Sequence, residues 1–286
     1  MSFLTAKSFV YNGKNSDDYN LIIAWINSSD INISENGLNM SLEKTNNKLN
    51  NTSNTYGVQS ENIVIYFSIV KKDYTEITRL ESIQINEWLS SSSTFKILAF
   101  NDDDSYPLHY YAVCTQIEDV IVGGKLFGKE LKFETNSPFA FSKKVEKKYD
   151  IVSSHVFYIN NTSNANNNII YPKIILETAS PTIVIENTLD KKSVTISTND
   201  IPFESNGSKY INMNSCNMSV TDKNDRLIPA YKLGWNNTYK SYVSATNNYI
   251  STIYWVRFIK GLNQLKITGS CKIIIEYEFP RKAGCL

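Results

Sequence analysis

Along most of this chain apolar positions recur at every second residue, the period of a strand with one buried face. Ile63-Val-Ile-Tyr-Phe-Ser-Ile-Val, Phe95-Lys-Ile-Leu-Ala-Phe, Tyr110-Tyr-Ala-Val-Cys-Thr-Gln-Ile and Gly128-Lys-Glu-Leu-Lys-Phe-Glu-Thr combine that period with β-branched and aromatic residues. Phe9-Val-Tyr runs into Asn12-Gly13, residues that tolerate the positive φ of a tight hairpin, and Leu21-Ile-Ile-Ala-Trp-Ile follows as a strand. Gly123-Gly124-Lys125 reads as another hairpin turn, and Asn136-Ser-Pro-Phe-Ala-Phe closes the first half. Beyond it, Tyr171-Pro-Lys-Ile-Ile-Leu-Glu-Thr, Thr182-Ile-Val-Ile-Glu-Asn, Ser193-Val-Thr-Ile-Ser-Thr and Lys209-Tyr-Ile-Asn-Met-Asn are short strands at close spacing, which predicts a sandwich. A Trp-containing strand near Trp255, a Gly261-Leu-Asn turn and Ile267-Thr-Gly-Ser-Cys271 then predict a last hairpin, with Ile273, Ile275, Tyr277 and Phe279 on its apolar face.

One stretch changes period. Between Tyr74 and Leu89 the residues Tyr74, Ile77, Leu80, Ile85, Trp88 and Leu89 fall on one side of a helical projection, with Thr75 as N-cap. Glu81 interrupts that stripe and Ile83 lies opposite it, so Arg79, Ile83 and Asn86 on the outward side are candidate subunit contacts. The segments Asn46 to Thr55 and Asn160 to Asn168 are Asn, Ser and Thr rich and read as loops. The fold class expected is mainly β with one or two helices. The composition break predicts a domain at residues 1–148, a linker at 149–170 and a β-sandwich domain at 171–286.

Composition narrows the partners. A formal net charge of +1 over 286 residues gives no reason to expect nucleic acid. Lys143, Lys144, Lys147 and Lys148 surround Glu146 and read as a solvated run. The N-terminus has no basic-then-apolar secretory pattern and the apolar runs are strand-sized, which predicts a chain made in the cytoplasm with no membrane partner. Cys114, Cys216, Cys271 and Cys285 are scattered, against a disulfide framework or a zinc site, and read as small buried residues with Cys285 an exposed thiol. Asn-x-Ser/Thr triplets such as Asn32-Ile-Ser are chance matches in so Asn-rich a chain.

Candidate chemistry is sparse. His109 and His155 are the only imidazoles, and neither sits in a nucleophile or metal motif. Asp102-Asp103-Asp104 lacks the spacing of a calcium loop and reads as a turn. Glu276 and Glu278 share one strand face and could imitate the carboxylate pair of a glycosidase, but the wet side of a sandwich is the simpler reading. Aromatic residues crowd the last third, where Trp235 and Trp255 are candidate glycan contacts. No catalytic residue, metal or cofactor is expected.

Several separated segments, in order, resemble the distal tail proteins of long-tailed bacteriophages. They are Phe9-Val-Tyr-Asn-Gly-Lys-Asn-Ser-Asp-Asp-Tyr, the Ile77 to Leu89 segment before Phe95 to Phe100, the acidic turn before Tyr110-Tyr111, Lys132-Phe-Glu-Thr-Asn-Ser-Pro-Phe-Ala-Phe, and the C-terminal strands ending Glu276-Tyr-Glu-Phe-Pro-Arg-Lys. The Asn-rich loops and Met213-Asn-Ser-Cys-Asn depart from the family pattern. The resemblance implies an N-terminal domain that closes a hexameric ring and an outer, galectin-like or carbohydrate-module-like sandwich. It implies a structural hub at the virion tail tip, a homo-oligomer that joins tail tube protein to a tail-associated hub or lysin protein and a receptor-binding protein. The alternative is a carbohydrate-binding module for host surface glycans.

Overall fold

The computed structural model describes residues 6–24, 38–47, 50–60, 62–101, 108–164, 169–199, 201–229, 236–237 and 254–282. They form two compact units, Met1–Ser142 with Arg281–Leu286, and Lys143–Pro280.

The first unit is built on β1 (Ser8–Tyr11), β2 (Lys14–Asn15), β3 (Leu21–Ala24), β6 (Val64–Lys71), β7 (Lys96–Asn101), β8 (Leu108–Val122), β9 (Lys125–Thr135) and β10 (Ala140–Ser142). Their antiparallel sheet runs β2-β1-β7-β8-β9-β6-β3, with β10 added beside β8. Asn12 and Gly13 have φ of 50° and 77°, the two positive values that the β1–β2 turn demands. The one helix, α1 (Arg79–Leu89), buries Ile85, Trp88 and Leu89. Trp88 stacks on Tyr19 (4.6 Å) and Phe9 (5.4 Å), and its Nε1–H donates to the Tyr11 carbonyl at 2.9 Å. Phe67 and Phe133 stack beneath at 5.5 Å. An aromatic core in which the indole N–H is satisfied thus holds the helix to the sheet. The buried Lys129 ammonium donates to Asp119 at 2.5 Å, which keeps its charge paired.

The helix starts later than its apolar pattern suggests. Thr78, not Thr75, is the N-cap: Glu81 N–H donates to Thr78 Oγ1 (3.3 Å) and Thr78 N–H to Glu81 Oε2 (2.7 Å). Glu81, which interrupts the apolar stripe, is therefore the other half of a capping box, and Lys71 pairs with it at 3.0 Å. Tyr74, at φ 57°, and Leu80 are exposed rather than inward.

Residues 46–55 are also not a loop. They belong to the hairpin of β4 (Leu38–Asn47) and β5 (Asn50–Ser60), whose backbones pair from Leu38↔Ser60 to Asn47↔Asn50. A hairpin ladder joins backbone groups, which Asn, Ser and Thr carry as well as any residue.

The second unit is a sandwich of two five-stranded antiparallel sheets. One sheet contains β11 (Val145–Ile151), β13 (Lys173–Thr178), β16 (Lys209–Asn214), β17 (Ser219–Thr221) and β20 (Cys271–Tyr277), in the order β11-β20-β13-β16-β17. The other contains β12 (Ser154–Asn161), β14 (Thr182–Asn187), β15 (Lys192–Ser197), β18 (Asn236–Asn237) and β19 (Gly261–Thr268), in the order β12-β19-β14-β15-β18. Alternate residues of both, among them Ile174, Leu176, Ile183, Ile185, Leu265, Ile267, Ile273 and Ile275, fill the core. The short β21 (Pro280–Arg281) pairs with β10.

Three expectations change here. Residues 149–170 are no linker: they include the end of β11, all of β12 and Ile170, which exchanges backbone bonds with Phe258. The Lys-rich run around Glu146 is an edge strand whose backbone pairs with β20 while its charges remain wet. Gly261-Leu-Asn begins β19 rather than forming a turn.

The Thr268-Gly-Ser270 segment joins two strands that do not pair, because β19 lies in one sheet and β20 in the other. It is a sheet-to-sheet corner, which uses the same alternation as a hairpin because both strands face one core. Gly269 has φ 116°, and a Cβ there would meet Ile183 Cδ1 at 2.6 Å and the Thr182 carbonyl oxygen at 2.7 Å.

Candidate functional site

The outward side of α1 carries exposed apolar groups of the first unit. Arg79, Ile83 and Asn86, spaced i, i+4, i+7, form one exposed stripe, and Leu80 lies beside Ile83 at i−3. Leu80 is 66% exposed and Ile83 45%. The Ile77 N–H donates to the Leu126 carbonyl at 2.7 Å, and Lys125 pairs with Glu76 at 2.9 Å, which fixes the β8–β9 turn beside the start of the helix. At that turn Ile121 and Val122 are 63% and 60% exposed. Apolar side chains at the same end of two rigid elements, amid Arg79, Glu76 and Lys125, have the character of a contact surface. The capping box holds the helix start: its backbone and Lys71 bonds keep the Glu81 carboxyl ionised, below its ordinary range.

The sequence-level candidates scatter. His109 is buried against Tyr111 (5.3 Å) and Phe141 (6.2 Å), a packing position. His155 is exposed and lies over Tyr149 at 5.2 Å. Glu276, little exposed, pairs with Lys144 at 2.7 Å, and Glu278 is half-buried. Trp255 is half-buried and packs against the sandwich core, while Trp235, Cys285 and Asp102 to Asp104 lie outside the described residues. Burial pushes the Cys114 and Cys271 thiols up to about 11, so both stay protonated at neutral pH; Cys216 is exposed, contrary to the expectation of burial. Among the described residues no three His, Cys, Asp or Glu side chains gather where a metal ion could sit.

Two buried networks in the second unit had no counterpart in the sequence reading. Asp190 accepts from Arg257 Nε (2.8 Å), Arg257 NH2 (3.0 Å) and Tyr254 OH (2.9 Å), an arrangement that raises the tyrosine's pKa through burial and the carboxylate's charge. Asn187 and Asn263, both fully buried, share a bond of 2.9 Å; Asn263 Nδ2 donates to the Ile259 (2.7 Å) and Gly261 (3.0 Å) carbonyls, and its Oδ1 accepts from Ile259 N–H at 3.0 Å. Both tie distant segments of the sandwich together. Buried Asn beside a Gly in a strand was the signal that could have found the second.

Residues 4–137 match the family described as phage tail protein N-terminal domain. No curated protein sequence matches the chain. In overall fold it is similar to the Dit protein of phage SPP1, described as a paradigm of the hub adsorption apparatus in phages infecting Gram-positive hosts: TM-score 0.60 at 15% identity, over 95% of this chain and 98% of that one. It is also similar to a chain of the phage P2 baseplate in its activated conformation with Ca, with TM-score 0.51 at 9% identity, over 97% of this chain and 99% of that one. Residues 4–137 thus match a phage tail protein N-terminal domain, in a chain whose overall fold is similar to that of the SPP1 Dit protein.

Proposed function

We propose that this chain is a structural hub of a phage tail tip: a distal tail protein that closes a homo-oligomeric ring, six subunits in the reading favoured here, between the tail tube and the tail-tip and receptor-binding parts. The observation that carries it is the phage tail family match over the same residues that build the first unit, joined to a distal-tail fold along the whole chain. The physical arrangement suits assembly rather than turnover. The exposed groups on α1 and the β8–β9 turn are apolar and rigidly held, whereas the titratable groups described above are spent on capping, ion pairing and packing.

Arg79, Leu80, Ile83 and Asn86 are the ring contacts in this reading. Ile83→Asp places a carboxylate in that contact without touching the buried side of the helix. The purified full chain should form rings, and Ile83→Asp should shift it to smaller species with an unchanged circular dichroism spectrum. Rings that persist in Ile83→Asp, at equal mass, would remove this face from the contact.

A further inference from the structure

We infer that the open edge of β12 is a docking surface for a second copy of this chain, paired antiparallel about a two-fold axis at Phe157. β12 is an edge strand, bonded to β19 on one side, and no described strand pairs with its other side. Its phase is fixed. Gly269 N–H donates to the Ser153 carbonyl at 2.7 Å, extending the β12–β19 ladder by one pair. Backbone groups alternate in direction along a strand, so those of Phe157 and Ile159 face β19 and those of Ser154, Val156, Tyr158 and Asn160 face the open edge.

The strand itself carries none of the usual protective residues. From Ser154 to Asn161 it has no Lys, no other formal charge, no Pro and no bulge. The neighbouring edge strand β11 shows the contrast, with Glu146, Lys147, Lys148 and Asp150. On the outer face of β12, Tyr158 is 59% exposed and Val156 39%.

The strand's sequence selects a copy of itself as the occupant. A two-fold axis at Phe157 sets Val156 opposite Tyr158 of the second copy and Ser154 opposite its Asn160. Every one of these residues has its backbone groups directed at the open edge, so each facing pair exchanges both its N–H and its C=O bond. The same register makes two aromatic to β-branched pairs and two Ser to Asn pairs, with no like charges opposed. Two five-stranded sheets would merge into one continuous sheet. This contact is independent of the ring: it pairs sandwich with sandwich whether the copies belong to two rings or to none.

Static light scattering of the full chain across a concentration series tests it with two double variants. Val156→Lys with Tyr158→Lys sets lysine opposite lysine across the axis. Val156→Lys with Tyr158→Glu sets lysine opposite glutamate, twice. The expected result is that wild type and the Lys/Glu variant have twice the mass of the Lys/Lys variant at low salt. The inference is overturned if wild type has the same mass as the Lys/Lys variant, or if the Lys/Glu variant stays at the lower mass. Loss of the ring would change all three masses together and leave their ratio intact, so the two readings fail separately.

Discussion

Asn263→Asp is nearly isosteric and should nevertheless loosen the second unit in a pH-dependent way. In the native chain the buried Asn263 Nδ2 donates to the Ile259 carbonyl at 2.7 Å and the Gly261 carbonyl at 3.0 Å. An ionised carboxylate in its place turns both donors into an acceptor and leaves two carbonyls facing a negative oxygen. Each buried group left without its partner costs about 1 to 3 kcal/mol, so the pair amounts to about 2 to 6 kcal/mol. The site is fully buried, so the new carboxyl has a folded-state pKa above the unfolded value of about 3.9. The folded state then holds the proton more tightly, and stability falls as pH rises past about 3.9 until the raised folded pKa is passed. Below that window the protonated carboxyl still donates once and most of the loss disappears. Hydrogen exchange of peptides spanning residues 254–268 reads this directly. At neutral pH protection should drop by about one and a half to four orders of magnitude relative to wild type, each factor of ten corresponding to about 1.4 kcal/mol. Equal protection in the two proteins at neutral pH, or the same deficit at pH 4 and pH 7, would refute the assignment of Asn263 as a donor to those carbonyls.

Gly269→Ala should destabilise the sandwich by about 2 to 4 kcal/mol, since its Cβ meets a backbone oxygen that cannot rotate away and its φ is unfavourable for alanine; urea unfolding followed by circular dichroism measures it, and a loss under about 0.5 kcal/mol contradicts the corner geometry. Trp88→Ala should cost the first unit about 3 to 5 kcal/mol and Trp88→Phe about 1 to 3, because the latter keeps the stack between Tyr19 and Phe9 but removes the indole donor to the Tyr11 carbonyl. An equal loss in both would show that the stack adds nothing beyond the indole hydrogen bond, against this account. Cys114 and Cys271, with thiols near 11, should resist maleimide at pH 8 in the folded chain and label on unfolding; peptide mass mapping reads the sites, and rapid labelling of either in the native chain contradicts its burial.

What the sequence made legible was the alternation. Strands with one buried face, such as β6, β9, β13 and β14, and the Asn12-Gly13 and Gly123-Gly124 turns stand where their residues place them. Alternation does not say which strand is the neighbour. Ile267 to Tyr277 therefore looked like a hairpin, although its halves belong to facing sheets and share only the core between them. Composition misled in two places, at β4–β5 and at β11–β12, because a ladder is a backbone property and polar side chains do not forbid it. At α1 the apolar stripe suggested an early start, and the decisive signal was the capping pair Thr78 and Glu81. Of the proposed contact face, Ile83 stood out as an apolar residue against the helical stripe, whereas exposed Leu80 was hidden within it. The Asp190 network could not be seen, since its partners are distant in sequence, and the Asn263 network carried only the signal of an Asn two residues after Gly261.

The central claim is tested most directly by purifying the full chain, measuring its mass by light scattering after size exclusion, and averaging negative-stain images of the main peak. The account predicts rings with six-fold symmetry in projection and a mass of six subunits or a small multiple of six. Particles without a central ring, at monomer or dimer mass over the whole accessible concentration range, would contradict it.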